Sequence, residues 1–132
     1  MPPALVTARF QIPLREDADL RRKGSAIGVR SAQEVGPLHR RPRWALLERT
    51  LSSTFGGWTL VATVVGEWYD AEQGRAVREE SRLYEVDLPE GRVHELEALL
   101  RRCCITFVQK CVRLVIGGRP RYVWRGPHDE AL

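Results

Sequence analysis

A chain of 132 residues, 43% apolar and 29% charged, can bury a core of its own and has the composition of an ordinary globular protein. Its apolar runs fall short of the roughly 18 residues that span a bilayer, and no basic leader with a long apolar stretch opens it, so a cytosolic location is expected. The formal charge of +4 is modest, and three cysteines, Cys103, Cys104 and Cys111, offer neither a paired framework nor a C-x-x-C zinc motif.

The first element is a strand. Phe10, Ile12 and Leu14 alternate with Arg9 and Gln11, the period of a half-buried strand, and Pro13 removes a rung near its end. Residues 15–43 show little periodicity, and Gly36-Pro37 would stop any helical turn begun at Ser31, so an irregular loop is expected. This stretch is basic: within residues 20–43, Arg21, Arg22, Lys23, Arg30, Arg40, Arg41 and Arg43 stand against a single acid, Glu34.

Trp44, Leu47, Leu51 and Phe55 recur at helical spacing, after Pro42 and before Gly56-Gly57, which predicts an amphipathic helix of about three turns. Trp58 to Val65 and Arg82 to Leu88 are β-rich runs around a polar link centred on Gly74, the pattern of a hairpin. The first run is apolar on both faces apart from Thr59 and Thr63, which implies cover on both sides. The second puts Tyr84, Val86 and Leu88 on one face and Glu85 and Asp87 on the other. The hairpin is as acidic as the loop is basic, with eight carboxylates between residues 67 and 90 against three arginines.

Pro89-Glu90 opens a second helix whose apolar stripe is Val93, Leu96, Leu100, Cys103 and Phe107. Cys111 to Ile116 alternates as a strand, Gly117-Gly118 turns, and Tyr122 to Trp124 return as a short strand. The tail, residues 126–132, is expected to fray. The whole is read as one α+β domain over residues 1–132, in the β-α-β-β-α-β order of the ferredoxin-like split βαβ fold. That fold has a four-stranded antiparallel sheet with two helices on one face, here with a short C-terminal strand added.

The runs F-G-G-W-T-L, G-E-W-Y-D, G-R-A-V-R-E-E-S and F-V-Q-K-C-V, with the opening R-F-Q-I-P-L, resemble small bacterial proteins of an uncharacterised family. Their pattern is G-x-T-x-x-x-x-x-G-x-W, then an E-x-S/R strand, a helix and F-x-Q-x-x-V. Here Trp58 stands before the threonine position, Thr59, and the similarity spans about residues 44–118 and the first strand. The resemblance implies a ferredoxin-like fold and carries no established activity.

Catalytic signatures are absent from the sequence. None of His39, His94 and His128 lies in a nucleophile or metal-ligand pattern, and no phosphate-cradling glycine motif occurs. No catalytic residue, metal or cofactor is therefore assigned. The leading expectation is a non-enzymatic domain that self-associates, as a homodimer, or binds a protein through its open sheet face. The alternative is nucleic-acid binding through Arg21, Arg22, Lys23, Arg40, Arg41 and Arg43, which can meet phosphates without reading sequence. The third is a small-molecule binder or enzyme at the acidic and aromatic cluster of the hairpin. The residues assigned to an interface or a ligand are Trp58, Val61, Val65, Glu67, Trp68, Tyr69, Glu79 and Leu83.

Overall fold

The computed structural model describes residues 4–21, 35–71 and 74–132. Along the chain run β1 (Leu5–Pro13), the single turn α1 (Ala18–Arg21), α2 (Arg41–Phe55), β2 (Thr59–Asp70) and β3 (Arg75–Pro89). A 3₁₀ turn (Glu90–Arg92) leads into α3 (Val93–Thr106), and β4 (Cys111–Ile116) and β5 (Arg119–Trp124) complete the fold. The strands form one antiparallel sheet of five, in the order β2-β3-β1-β4-β5.

The four-stranded ferredoxin-like sheet expected from the sequence is corrected on this point. The last strand is a full member, six residues long like β4, and all six pair with it. Its cause is the turn: Gly117 and Gly118 both take positive φ, 57° and 76°, as a two-residue turn matched to strand twist requires.

The core lies between one face of the sheet and the two long helices. Ala8, Phe10 and Ile12 of β1, Tyr84, Val86 and Leu88 of β3, Val112 and Leu114 of β4 and Val123 of β5 meet Trp44, Leu47 and Leu51 of α2 and Leu96, Leu100 and Cys103 of α3. The alternating and the 3–4-spaced apolar positions are thus the two halves of one buried layer. Burying each large side chain there contributes about 1.5–3 kcal/mol. α2 carries Pro42 in its first turn and stops at Gly56, whose φ of 88° lets its N–H return to the carbonyl of Ser52.

β2 departs from expectation. It is the edge strand, and apart from the half-buried Val64 and Asp70 it is exposed on both faces, not covered. For the half from Val65 to Asp70 the reason is length. β1 pairs with β3 only from Ser81 to Pro89, so residues 75–80 of β3 and their β2 partners run on as a two-stranded ribbon past the rest of the sheet. A register shift between Leu60 and Ala62 sets Val61 at a bulge, which blunts the edge.

Of the segment 15–43, expected as an irregular loop, residues 22–34 lie outside the described residues, and its described ends are tied together by one isolated bridge and backbone hydrogen bonds. Arg15 bridges Leu38, the Glu16 N–H donates to the carbonyl of Pro37, and the His39 N–H donates to that of Leu14. Gly36 is required there, because a Cβ at that position would lie 1.9 Å from the carbonyl oxygen of Glu16. The tail is also ordered by contacts. The Leu132 N–H donates to Thr106 Oγ1, Arg102 donates to the carbonyl of Ala131, Arg101 pairs with Asp129, and Leu132 packs on the core. No described helix is long and apolar enough to cross a membrane.

Candidate functional site

The helices cover one face of the sheet, and period-2 alternation sends the remaining side chains to the other. Across the open face the register sets Leu83, Gln11, Arg113 and Tyr122 side by side on β3, β1, β4 and β5. One row further along, Ser81 faces Pro13, and Cys111 faces Trp124. On the ribbon, Glu79 faces Gly66 and Val77 faces Trp68. Asp17, Gln109 and Lys110 close the end of these rows, and together they enclose a cleft of about 580 Å³. That volume lies within the usual range for small-molecule sites, about 300–1,000 Å³.

The rim is held by backbone geometry. The Asp17 N–H donates to the carbonyl of Val108, and its carboxylate accepts the N–H groups of Asp19 and Leu20, capping α1. The buried Gln109 side chain donates to the carbonyls of Arg15 and Phe107. It therefore locks the segment after β1 to the end of α3, where Val108 takes a positive φ of 50°. Lys110 reaches Asp19 at 3.0 Å.

Glu79 is the chemically distinctive group of the cleft. It forms no hydrogen bond or ion pair among the described residues, and its β2 partner, Gly66, has nothing within 4 Å of where a side chain would begin. Burial and the negative charge of Asp17 both push the Glu79 carboxyl above the usual carboxylate range. Cys111 feels the same surroundings. Burial and then Glu79 and Asp17 push its thiol up, against a smaller opposing pull from Lys110. Burial also pushes Cys103 up, and Cys104 to about 12, so neither is a nucleophile. Aromatic surface borders both ends of the cleft: Trp68 is 49% exposed, and Trp124 63% exposed.

The residues singled out from the sequence divide. Glu79 and Trp68 line the cleft, and Leu83 lies on the same face of the sheet. Alternation separates Glu67 and Tyr69 from Trp68, so the expected Glu67–Trp68–Tyr69 cluster does not form. Glu67 only borders the cleft, and Tyr69 is exposed on the opposite face. Val65, paired with Glu80, also sits on that opposite face, and Trp58 stands edge-on to the core residue Tyr84 at 6.0 Å. Asp17, Gln11, Arg113, Cys111, Tyr122 and Trp124 were not anticipated. The Gly-Gly turn and the alternation on either side of it were the signal that pairs Arg113 with Tyr122.

The basic cluster is not assembled as one surface among the described residues. Arg22 and Lys23 lie outside them, as does the side chain of Arg21. Arg43 is engaged by Glu16 at 3.1 Å and by His39 Nδ1 at 3.0 Å, leaving Arg40 and Arg41 exposed at the start of α2. Among the described residues no group of three or more His, Cys, Asp or Glu is placed to hold a metal.

No family model matches the chain, and no curated protein matches it. Among solved structures, a phage SAM lyase in complex with S-methyl-5′-thioadenosine shares its fold, with a TM-score of 0.63 at 14% identity over 94% of this chain and 92% of that one. This likeness replaces the ferredoxin-like assignment. It also bears on the expectation of a non-enzymatic domain acting through an apolar sheet face, which is corrected. The open face is a concave cleft carrying Gln11, Glu79, Ser81 and Arg113, and the solved structure that shares the fold is an enzyme with a small molecule bound.

Proposed function

We propose that the open-face cleft binds a small adenosine-bearing sulfur compound, a sulfonium or the related thioether, and acts on it as an enzyme. The observation that carries this reading is Glu79: a half-buried carboxyl without a partner among the described residues, in a cleft bordered by tryptophans at both ends. The fold shared with a SAM lyase holding S-methyl-5′-thioadenosine supports the choice of ligand. Exposed indole faces suit a purine ring, which stacks on aromatic surface, and they attract a cation through the ring quadrupole.

Glu79 gives the site its discrimination. A carboxyl disfavoured as an anion in the empty cleft becomes favoured as one when a positive charge enters beside it. An entering sulfonium therefore opposes the effects of burial and Asp17 that hold the Glu79 carboxyl high, whereas a neutral thioether does not. The same carboxylate is placed to accept a proton from a bound molecule or return one to it.

Calorimetry with SAM and with S-methyl-5′-thioadenosine tests the reading, with tryptophan fluorescence as a second readout. Both compounds are expected to bind, and SAM affinity is expected to rise with pH as Glu79 ionises. Glu79→Gln should weaken SAM by about tenfold and S-methyl-5′-thioadenosine by much less, the loss of one charge-assisted contact. Incubation with SAM should release a thioether nucleoside, seen by mass spectrometry. Absence of binding by either compound up to about 1 mM, the weak end of specific affinity, refutes the reading.

A further inference from the structure

The opposite side of the cleft from Glu79 holds a charge of the other sign. Arg113 projects from β4 between Gln11 of β1 and Tyr122 of β5, in the row next to Cys111 and Trp124. It is half-buried and lines the cleft, yet it forms no ion pair or hydrogen bond among the described residues. Several other arginines around the sheet and helices are matched. Arg9 meets Glu85 at 2.7 Å, Arg121 meets Glu97 at 2.5 Å, and Arg82 lies 3.6 Å from Glu48 while covering the Trp44 ring. A guanidinium unmatched among the described residues inside a concave site has lost part of its hydration without one of those groups to replace it.

We infer that Arg113 binds the carboxylate of a zwitterionic ligand, so that the cleft reads both ends of one molecule: its cation at Glu79 and Asp17, its carboxylate at Arg113. This rests on the proposed function and adds the part of the ligand that reading leaves unassigned. The planar fork of arginine matches a carboxylate with two parallel hydrogen bonds, and the Gln11 amide beside it offers a further donor. A phosphate would bring up to two negative charges into a cleft that already holds Asp17 and Glu79. A single carboxylate on a molecule that also carries a cation leaves the site balanced. The class of ligand is therefore an α-amino acid joined to the adenosine sulfur, not the thioether nucleoside alone.

Three probes separate the parts. SAM carries both the sulfonium and the carboxylate, S-adenosylhomocysteine carries the carboxylate without the sulfonium, and S-methyl-5′-thioadenosine carries neither. Affinities of the wild-type chain, Arg113→Gln and Arg113→Lys are compared by calorimetry at fixed pH and salt. Arg113→Gln should lose about tenfold or more on SAM and on S-adenosylhomocysteine, while S-methyl-5′-thioadenosine is held within about twofold. Arg113→Lys should fall between, since it keeps the charge and loses the fork. Retained binding of the thioether nucleoside shows that the variant is folded.

Equal loss on all three probes, or no loss on the two that bear a carboxylate, overturns the inference while the parent reading stands. A variant that fails to fold is replaced by Gln11→Leu, for which a loss confined to the two carboxylate probes is expected and its absence counts against the assignment. If the wild-type chain binds none of the three, the parent reading fails and the inference falls with it.

Discussion

Replacing His39 with glutamine should remove much of the protein's sensitivity to mild acid. His39 is 8% exposed, wedged edge-on between Trp44 and Phe107 with ring centroids 5.5 and 4.9 Å away. Its Nδ1 lies 3.0 Å from Arg43 Nη1, which can only donate, so the neutral ring carries its proton on Nε2, where no partner is found among the described residues. A second proton would place an imidazolium in the core beside a guanidinium. Burial, and then the charge of Arg43, accordingly pull its pKa from 6.5 down to about 4, against smaller opposing effects of Glu16 and the backbone of Pro13. Below pH 6.5 the unfolded chain takes up a proton that the folded chain refuses, so stability falls as pH drops from 6.5 toward 4 and then levels. The full loss is about 3 kcal/mol, of which about 2 is reached by pH 5. Glu79 works in the opposite direction, because a carboxyl held high in the fold gains protons before the unfolded chain does. The clean readout is therefore a difference. Urea unfolding of the wild type and His39→Gln at pH 7.5 and pH 5 should show the wild type losing about 2 kcal/mol more than the variant. Equal losses in the two proteins would refute the assignment of a neutral buried His39.

Three further outcomes follow from named contacts. Tyr84→Phe removes a buried hydroxyl that donates to Glu48 at 2.8 Å and receives Arg82 at 3.3 Å, and should cost about 1–2 kcal/mol by chemical denaturation. Truncation after Gly126 removes Asp129, Ala131 and Leu132 from α3, and should lower stability by about 1–3 kcal/mol with increased amide exchange at Arg101–Thr106. Gly118→Val places a β-branched residue at a φ of 76°, and should cost on the order of 1–2 kcal/mol and lose protection in β5 before the other strands.

The helices and inner strands were readable residue by residue because one physical rule governs each. Trp44, Leu47 and Leu51 repeat at helical spacing and are all buried, as are Leu96, Leu100 and Cys103. Phe10 and Ile12 alternate, as do Tyr84, Val86 and Leu88, and every one faces the helices. Apolar content was a poorer guide in β2. Its valines and leucine suggested cover on both faces, but cover depends on where the neighbouring strand ends. β1 stops at Pro13, opposite Ser81, so the ribbon beyond stands alone. The local cluster Glu67–Trp68–Tyr69 failed for a related reason, since neighbours in a strand point to opposite sides and cannot line one site.

Local pattern by itself determined the two long helices, the buried faces of the inner strands and the turn at Gly117-Gly118, because periodicity, proline and glycine act within a few residues. The candidate site belongs to tertiary structure alone. Gln11, Asp17, Glu79, Arg113 and Trp124 are spread over most of the chain, and only the order β2-β3-β1-β4-β5 carries them to one concave face. That Glu79 and Arg113 find no partner among the described residues is also invisible in sequence, since whether a charge is matched is settled by which strands the sheet places beside it.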